Sequence, residues 1–331
     1  MKPTIKDIAA KTNLSIATVS RVLGHKQGTY SAKAEAKVLQ AARELGYRKN
    51  TVAVELVKKR ADVLAVIINA TPTNFSTDII DGIQERAGQL GQQVIILYAG
   101  NREAPLQHQA INTALQRNVS GILLVAIEPD ATDRELLQAA QVPFCFVSLN
   151  LDDQNIKSVS SNNHDLAYQA TEYLIAHGHT RIGLAGIDDY HTGRQRLAGY
   201  QAALANHQIM ADPAWVQRGN YSYQAGQAAL SPYRSLGVTA VLAASDMVAA
   251  GLLTAAQGQH LTLPQDLSIV SIDGTIICDI TTPALTSVTQ DFREIGRQGV
   301  NRVMGQAAQT IIPVTLTERA SVAELDQLET K

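Results

Sequence analysis

From Val63 onward, short apolar runs alternate with amphipathic stretches, and this alternation limits the possible folds more than any other feature of the chain. The runs fall at 63–68, 94–98, 121–127, 144–149, 182–185, 238–243 and 267–272. Between them, residues 76–90, 105–118, 164–177, 193–206, 222–235 and 245–258 repeat apolar side chains at helical spacing. Strands apolar on both faces need helices on both sides, which predicts α/β architecture with doubly wound parallel sheets. About 270 residues of this pattern exceed what one sheet usually needs. The extended stretch near 150–160, with Asn150-Leu151-Asp152-Asp153-Gln154-Asn155, reads as a crossover between two lobes. The expected lobes are about 61–158 with 290–318 and about 159–289 with 319–331. Two such lobes enclose a cleft, and open α/β sheets take ligands at the carboxyl ends of their strands.

The first 60 residues follow a different pattern. Thr4, a possible N-cap with Asp7 in the first turn, precedes Ile5, Ile8 and Ala9 at helical spacing to about Lys11. Thr12-Asn13-Leu14 interrupts this pattern, Ser15 can cap a second helix to about Leu23, and Gly24 ends it. In that helix Val19, Val22 and Leu23 share one face, leaving Ile16, Ala17, Ser20 and Arg21 outward. A third helix from Ser31 to Gly46 is expected to bury Val38, Leu39, Ala42 and Leu45. Three short helices, the first two joined by a tight turn, form a helix-turn-helix domain over 1–48. Residues 49–60 read as a linker able to become helical.

Charge divides the same way. Residues 1–60 carry 13 Lys/Arg against 4 Asp/Glu, a balance of +9, and the other 271 carry 15 against 26, or −11. A basic head on an acidic body points to a head that meets phosphate and a body that does not. Cys145 and Cys278 lie far apart without metal-ligand spacing, and no apolar run approaches the roughly 18 residues of a membrane span. A cytoplasmic protein without disulfides, metal or cofactor is expected. His177-Gly178-His179 lacks a visible third ligand, and Gly178 reads as the end of a helix. No GxSxG elbow, Gly-rich phosphate loop, HExxH or paired carboxylates are found, so enzyme activity is not expected.

Ile5-Lys6-Asp7-Ile8-Ala9, Leu14-Ser15-Ile16-Ala17-Thr18-Val19-Ser20-Arg21-Val22-Leu23 and Ala41-Ala42-Arg43-Glu44-Leu45-Gly46-Tyr47 closely resemble the head of the LacI/GalR family of bacterial transcription regulators. The body resembles the same family through His177-Gly178-His179, Arg196-Leu197-Ala198-Gly199-Tyr200, Ser245-Asp246 and Pro283-Ala284-Leu285-Thr286-Ser287-Val288-Thr289-Gln290. The resemblance implies a homodimer on near-palindromic operator DNA, with a two-lobed core of the periplasmic-binding-protein type. It places Ile16 and Ala17 at base-reading positions, Arg21 on a guanine edge, and Ser15, Thr18 and Tyr30 at phosphates. Because Ile16 and Ala17 cannot form bidentate hydrogen bonds, reading there rests on apolar contact, as with thymine methyls. In the family's hinge pattern, which includes Asn50 and Ala53, Leu56 would be a minor-groove wedge. Lys49 stands where relatives commonly have proline, and Glu55 brings a negative charge near phosphate.

For the cleft, the resemblance points to Arg196 and Asp273 as partners of sugar hydroxyls, with Ser245 and Asp246 nearby, Asp246 more often stabilising the start of its helix; surface ions or structural caps are the competing reading for these residues. Guanidinium and carboxylate each bind two neighbouring hydroxyls in fixed directions. Tyr221 and Phe292 match aromatic positions that pack on a sugar face, and Thr73, Phe75, Ser76 and Ile79 match the first lobe's contribution. Plain core packing is the competing reading for these aromatics. Gly274 stands where the family usually has a second polar residue, and Asn101 and Ser148 stand where a family member offers an arginine and a carboxylate. The implied function is a repressor of carbohydrate-utilisation genes controlled by a sugar or sugar phosphate. A global regulator governed by a protein corepressor and a plain sugar-binding protein are the alternatives. Leu325 and Leu328 are too few for a heptad coiled coil, so a dimer without tetramer is expected. The basic head generates a direct test: affinity for duplex DNA should fall steeply as salt rises, because phosphate contacts release counterions. Titrations across a salt series check this, and a flat dependence, or no preference for a two-fold symmetric site, counts against it.

Overall fold

The computed structural model describes residues 3–24, 29–47, 62–70, 73–151 and 155–325. The expected hinge, with Asn50, Ala53 and Leu56, lies outside the described residues. The chain divides into two compact units, Met1–Ala61 and Asp62–Lys331.

The first unit holds α1 (Ile5–Thr12), α2 (Ile16–Leu23) and α3 (Ala32–Glu44). Asp7 closes the start of α1 by accepting the Thr4 N–H at 2.7 Å and its hydroxyl at 2.8 Å. Asn13 ends α1 in the left-handed region (φ 54°), which turns the chain sharply into α2. The Ser15 and Ser31 hydroxyls cap α2 and α3, accepting N–H groups of Thr18 and Ala34. Ile8, Val19, Val22, Val38, Ala41 and Ala42 form the core, while Leu39 and Leu45, expected to be buried, only pack against it.

The second unit has two sheets. In the first, β1 (Val63–Ile68), β2 (Gln93–Tyr98), β3 (Gly121–Val125), β4 (Phe144–Val147) and β5 (Ser158–Val159) run parallel in the order β2-β1-β3-β4-β5. Helices α4 (Ser76–Gln89), α5 (Ala104–Gln116) and α6 (Ala131–Ala139) connect them. Strand β1 shows why both faces must be covered: Leu64, Val66 and Ile68 enter one core cluster with α4, whereas Ala65 and Ile67 enter another with α5.

The second sheet repeats this order. It comprises β6 (Ile182–Ile187), β7 (Val216–Arg218), β8 (Ala240–Ala243), β9 (Ser268–Asp273), β10 (Thr286–Gln290) and β11 (Val314–Thr317), arranged β7-β6-β8-β9-β10-β11. All pairs are parallel except β10 with β11. Its helices are α7 (Asn163–Ala176), α8 (His191–Asn206), α9 (Tyr223–Ser235), α10 (Asp246–Gly258) and the short α11 (Ile277–Ile280). The last helix, α12 (Phe292–Val303), returns to the first lobe, where Ile295, Val300 and Val303 join the core of β1, β3 and β4.

One detail differs from the sequence reading. Residues 314–317 pair with β10 (Ser287 opposite Thr317), so they belong to the second lobe and not to the first. The first crossing lies after β5, at the end of the stretch near 150–160, where the Ser160 N–H donates to Thr310 O at 3.0 Å. β5, β7, β10 and β11 lack a long apolar run because they are short or carry polar residues, and periodicity does not reveal such strands. His179, paired with Thr239 Oγ1 and Ala323 O, ties the segment beyond β11 to the second lobe. Among the described residues, no helix is long and apolar enough to cross a membrane.

Neighbouring helices meet through glycine. A Cβ on Gly199 of α8 would lie 2.0 Å from His164 O of α7. One on Gly251 of α10 would lie 2.0 Å from Tyr223 O of α9. Carbonyl backbone cannot yield like a side chain, so such a Cβ forces the helices apart. Gly251→Ala should therefore destabilise the core by about 1–3 kcal/mol or more. Gly258→Ala near the end of the same helix, where a Cβ would meet nothing within 4 Å, should leave it unchanged or stabilise it by up to about 1 kcal/mol. Urea midpoints of the two variants check the contrast.

Candidate functional site

In the first unit, α2 buries Val19 and Val22 and exposes Ile16, Ala17, Ser20 and Arg21 on the opposite side. Ile16 is 51% exposed, although folding drives a large aliphatic side chain inward. The first turn of α2 holds no acidic residue, so its N–H groups present a positive end. Two of the head's acids are engaged elsewhere. The Thr4 N–H holds the Asp7 carboxyl below its usual range, and Lys11, 2.7 Å away, does the same for Glu44. The Ser15 hydroxyl meets Thr18 N–H and Thr18 Oγ1 (2.9 Å), and Tyr30 packs on the head's core. The outward face is therefore apolar at its start and cationic at its end, a surface suited to a major groove.

In the second unit, the carboxyl ends of both sheets face a cavity of about 660 Å³. It lies where each strand order reverses, between β1 and β3 and between β6 and β8. Thr73, Phe75, Asn101, Ser148 and Phe292 line it from the first lobe, and Arg196, Tyr221 and Asp273 from the second. The other four candidates do not line it. Ser76 opens α4, and Ile79 is fully buried in the core. Ser245 caps α10 and donates its hydroxyl to Tyr221 O at 2.9 Å, so it holds Tyr221 in place. Both carboxylate oxygens of Asp246 are used internally, accepting Ser271 Oγ and Thr275 N–H at 2.6 Å each.

Arg196 is the polar centre of the cleft. It is buried, donates through Nε to Asn163 Oδ1 (2.9 Å) and through Nη1 to Ala244 O, and lies 3.6 Å from Asp273 Oδ1. At that separation the ion pair has no direct hydrogen bond. Asp273 accepts Gln290 Nε2 at 2.9 Å, and burial pushes its carboxyl up to about 7 against the downward pull of Arg196. Burial likewise raises the Tyr221 hydroxyl, which donates to Asp188 Oδ1 at 3.0 Å. Facing these groups, the Phe75 and Phe292 rings stack at 5.0 Å and form an apolar wall.

Sequence reasoning missed Asp188, Asn163, Gln290, Glu128, Arg102 and Tyr190, all on the cleft wall. Asp188 directly follows β6 and Gln290 ends β10, so the strand-end rule held a signal for both. For Arg102 and Glu128, on loops, no periodic signal exists. Backbone strain marks the same place: Arg102, Ala126, Ser148, Tyr221 and Asp273, five of the ten non-glycine residues with positive φ among the described residues, line the cavity.

Comparisons with known proteins find relatives of both parts of the chain. The model for bacterial regulatory proteins of the lacI family matches residues 4–50, and that for the periplasmic binding protein-like domain matches 171–322. The lactose operon repressor of Escherichia coli (strain K12) is 32% identical over 331 residues, covering 96% of this chain and 91% of the repressor. A crystal structure of a Lac repressor dimer bound to operator and the anti-inducer ONPF superposes with a TM-score of 0.85 at 29% identity, covering 98% of this chain and all of that one. A transcription regulator from Lactobacillus plantarum gives 0.72 at 42% identity, covering 80% and 100%. The complex of the regulator CelR with cellobiose gives 0.72 at 28%, covering 96% and 99%.

The raised Asp273 carboxyl generates a pH prediction. The folded chain holds this proton up to about pH 7, whereas an ordinary carboxyl releases it near 3.8. Stability from this group is therefore full below the lower value and is lost as pH rises toward the upper one. Asp273→Asn cannot titrate, so its melting temperature relative to wild type should climb between pH 5 and 8. Scanning calorimetry at one-unit steps checks this, and a constant difference would mean that Asp273 ionises normally.

Proposed function

The chain belongs to the LacI family of bacterial regulatory proteins, and from that premise we propose that it represses carbohydrate-utilisation genes as an operator-bound homodimer whose affinity is set by a sugar in the interlobe cleft. The observation that carries this reading is the composition of the cleft. A buried guanidinium and carboxylate, Arg196 and Asp273, stand 3.6 Å apart opposite the Phe75–Phe292 stack. A sugar has hydroxyls for the first pair and a C–H face for the second. Relatives support it: one is named for the lactose operon, and another carries cellobiose.

In this reading the head (1–48) docks α2 in the major groove, with Ile16 and Ala17 against thymine methyls and Arg21 on a guanine. Ser15, Thr18 and Tyr30 hold phosphates. The hinge (49–60) kinks the minor groove through Leu56, and the core (61–331) binds the effector. The sugar acts by binding one arrangement of the lobes more tightly than another, since a ligand shifts an equilibrium only by its differential affinity.

Operator binding followed by fluorescence anisotropy, with and without a panel of sugars, tests the reading. A sugar that changes wild-type affinity should lose its effect on Arg196→Ala, needing at least about tenfold more ligand because a charged hydrogen-bonding partner is gone. Operator affinity without sugar should stay close to wild type. A normal sugar response in a folded Arg196→Ala would place the effector elsewhere, and no response to any sugar would remove the sugar from the proposal.

A further inference from the structure

The cleft carries its own anions where a bound anion would otherwise sit. Helix α8 begins on its wall, and the N–H groups of a first helical turn are a ready seat for phosphate. Here two of the N–H groups at its start are already taken by carboxylates of the wall. Asp188 Oδ1 accepts the Tyr190 N–H at 3.2 Å, and Glu128 Oε2, reaching across from the first lobe, accepts the His191 N–H at 3.3 Å. The remaining cations are engaged too. Arg102 of the first lobe donates to Asp188 Oδ2 at 2.7 Å and lies 4.0 Å from the centre of the Tyr190 ring. Arg134 donates its Nε to Pro129 O at 3.1 Å, and Arg196 serves Asn163, Ala244 and Asp273. Against these three arginines the wall sets the carboxylates of Glu128, Asp130 and Asp188, with the Asp273 carboxyl, raised to about 7, as a fourth and only partly charged group.

From this arrangement we infer that the cleft takes an uncharged, polyhydroxylated ligand and rejects its phosphate ester, with Asp188 and Glu128 setting the discrimination. The inference rests on the cleft being the effector site. A phosphate monoester carries close to two negative charges at neutral pH. It would have to leave water and face carboxylates already holding local donors, with Arg102 committed to Asp188 and Arg196 to Asn163, Ala244 and the neighbouring Asp273. A hydroxyl meets no such obstacle. It can donate to Asp188 in place of an Arg102 N–H without changing the charge of the site, and it can accept from the guanidinium so released. Asp188 thus has one role for both lobes: it receives Arg102 from the first and Tyr221 from the second.

Isothermal titration calorimetry on the full chain tests this with matched pairs: glucose and glucose 6-phosphate, fructose and fructose 6-phosphate, ribose and ribose 5-phosphate. Inorganic phosphate serves as the probe for anion binding alone. For wild type, each ester should bind at least about tenfold more weakly than a parent sugar that binds. In Glu128→Gln/Asp188→Asn, which keeps side-chain shape and removes both charges, inorganic phosphate should bind at least about tenfold more tightly than in wild type. A wild-type chain that prefers an ester to its parent sugar overturns the inference. So does a folded double variant whose phosphate affinity is unchanged. If the double variant does not fold, Glu128→Gln alone, at a half-buried position, supplies the same comparison. Should no sugar of the panel bind, the sugar reading of the cleft weakens, while the phosphate comparison between wild type and variant still decides the inference.

Discussion

A guanidinium cannot shed its proton, so burying one obliges the fold to surround it with acceptors. Arg196, 6% exposed, imposes that obligation on the core. Its partners come from three elements distant in sequence: the acceptors Asn163 at the start of α7 and Ala244 just beyond β8, and the carboxyl of Asp273 at the end of β9. Meeting all three requires α8 to lie close against α7, and Gly199, one turn beyond Arg196, permits this by leaving room for the His164 carbonyl. Small residues between helices and polar residues at strand ends are thus two parts of one arrangement. The 3.6 Å left between Arg196 and Asp273, with the carboxyl raised toward neutrality, is the place where that arrangement stays open to a further hydrogen-bonding group.

Both sheets of the core follow one strand order, and each reverses direction facing the cleft. Opposed switch points give a ligand two walls of different character. The first lobe offers stacked phenyl rings, and the second offers paired charges and Tyr221. Two contacts already cross between them, Arg102 to Asp188 and the His191 N–H to Glu128. A molecule bound there competes or cooperates with these contacts, so its binding energy is tied directly to the relation of the lobes. The clustering of strained backbone at the same strand ends is the usual mark of a site whose geometry is held by its surroundings.

The head solves a different problem with few residues. Its core is made largely of alanine and valine, which lets three short helices pack closely, and its caps absorb the acidic Asp7 side chain. What remains outside α2 is a small surface with an exposed isoleucine followed by a serine and an arginine. Such a surface presents methyl groups and a single guanidinium fork in place of a row of polar side chains.

The sequence alone determined the class of each unit. The spacing of Ile8, Val19, Val22 and Val38 gave the head its helices, Asn13 and Ser15 its turn, and the charge balance its polyanionic partner. Apolar runs such as 63–68 and 182–185 gave the core its central strands, and Arg196 and Asp273 were already visible as candidates. Only the tertiary structure decided that Asp246 is spent internally, that Ile79 is core, that β11 belongs to the second lobe, and that Asp188, Glu128 and Arg102 meet across the cleft. The reason is physical. Periodicity reports which side of each element is buried, because burial repeats along a helix or strand. It carries no information about which ends of separate elements converge, and that is settled only when helices and sheets pack in three dimensions and every buried charge must find its partner.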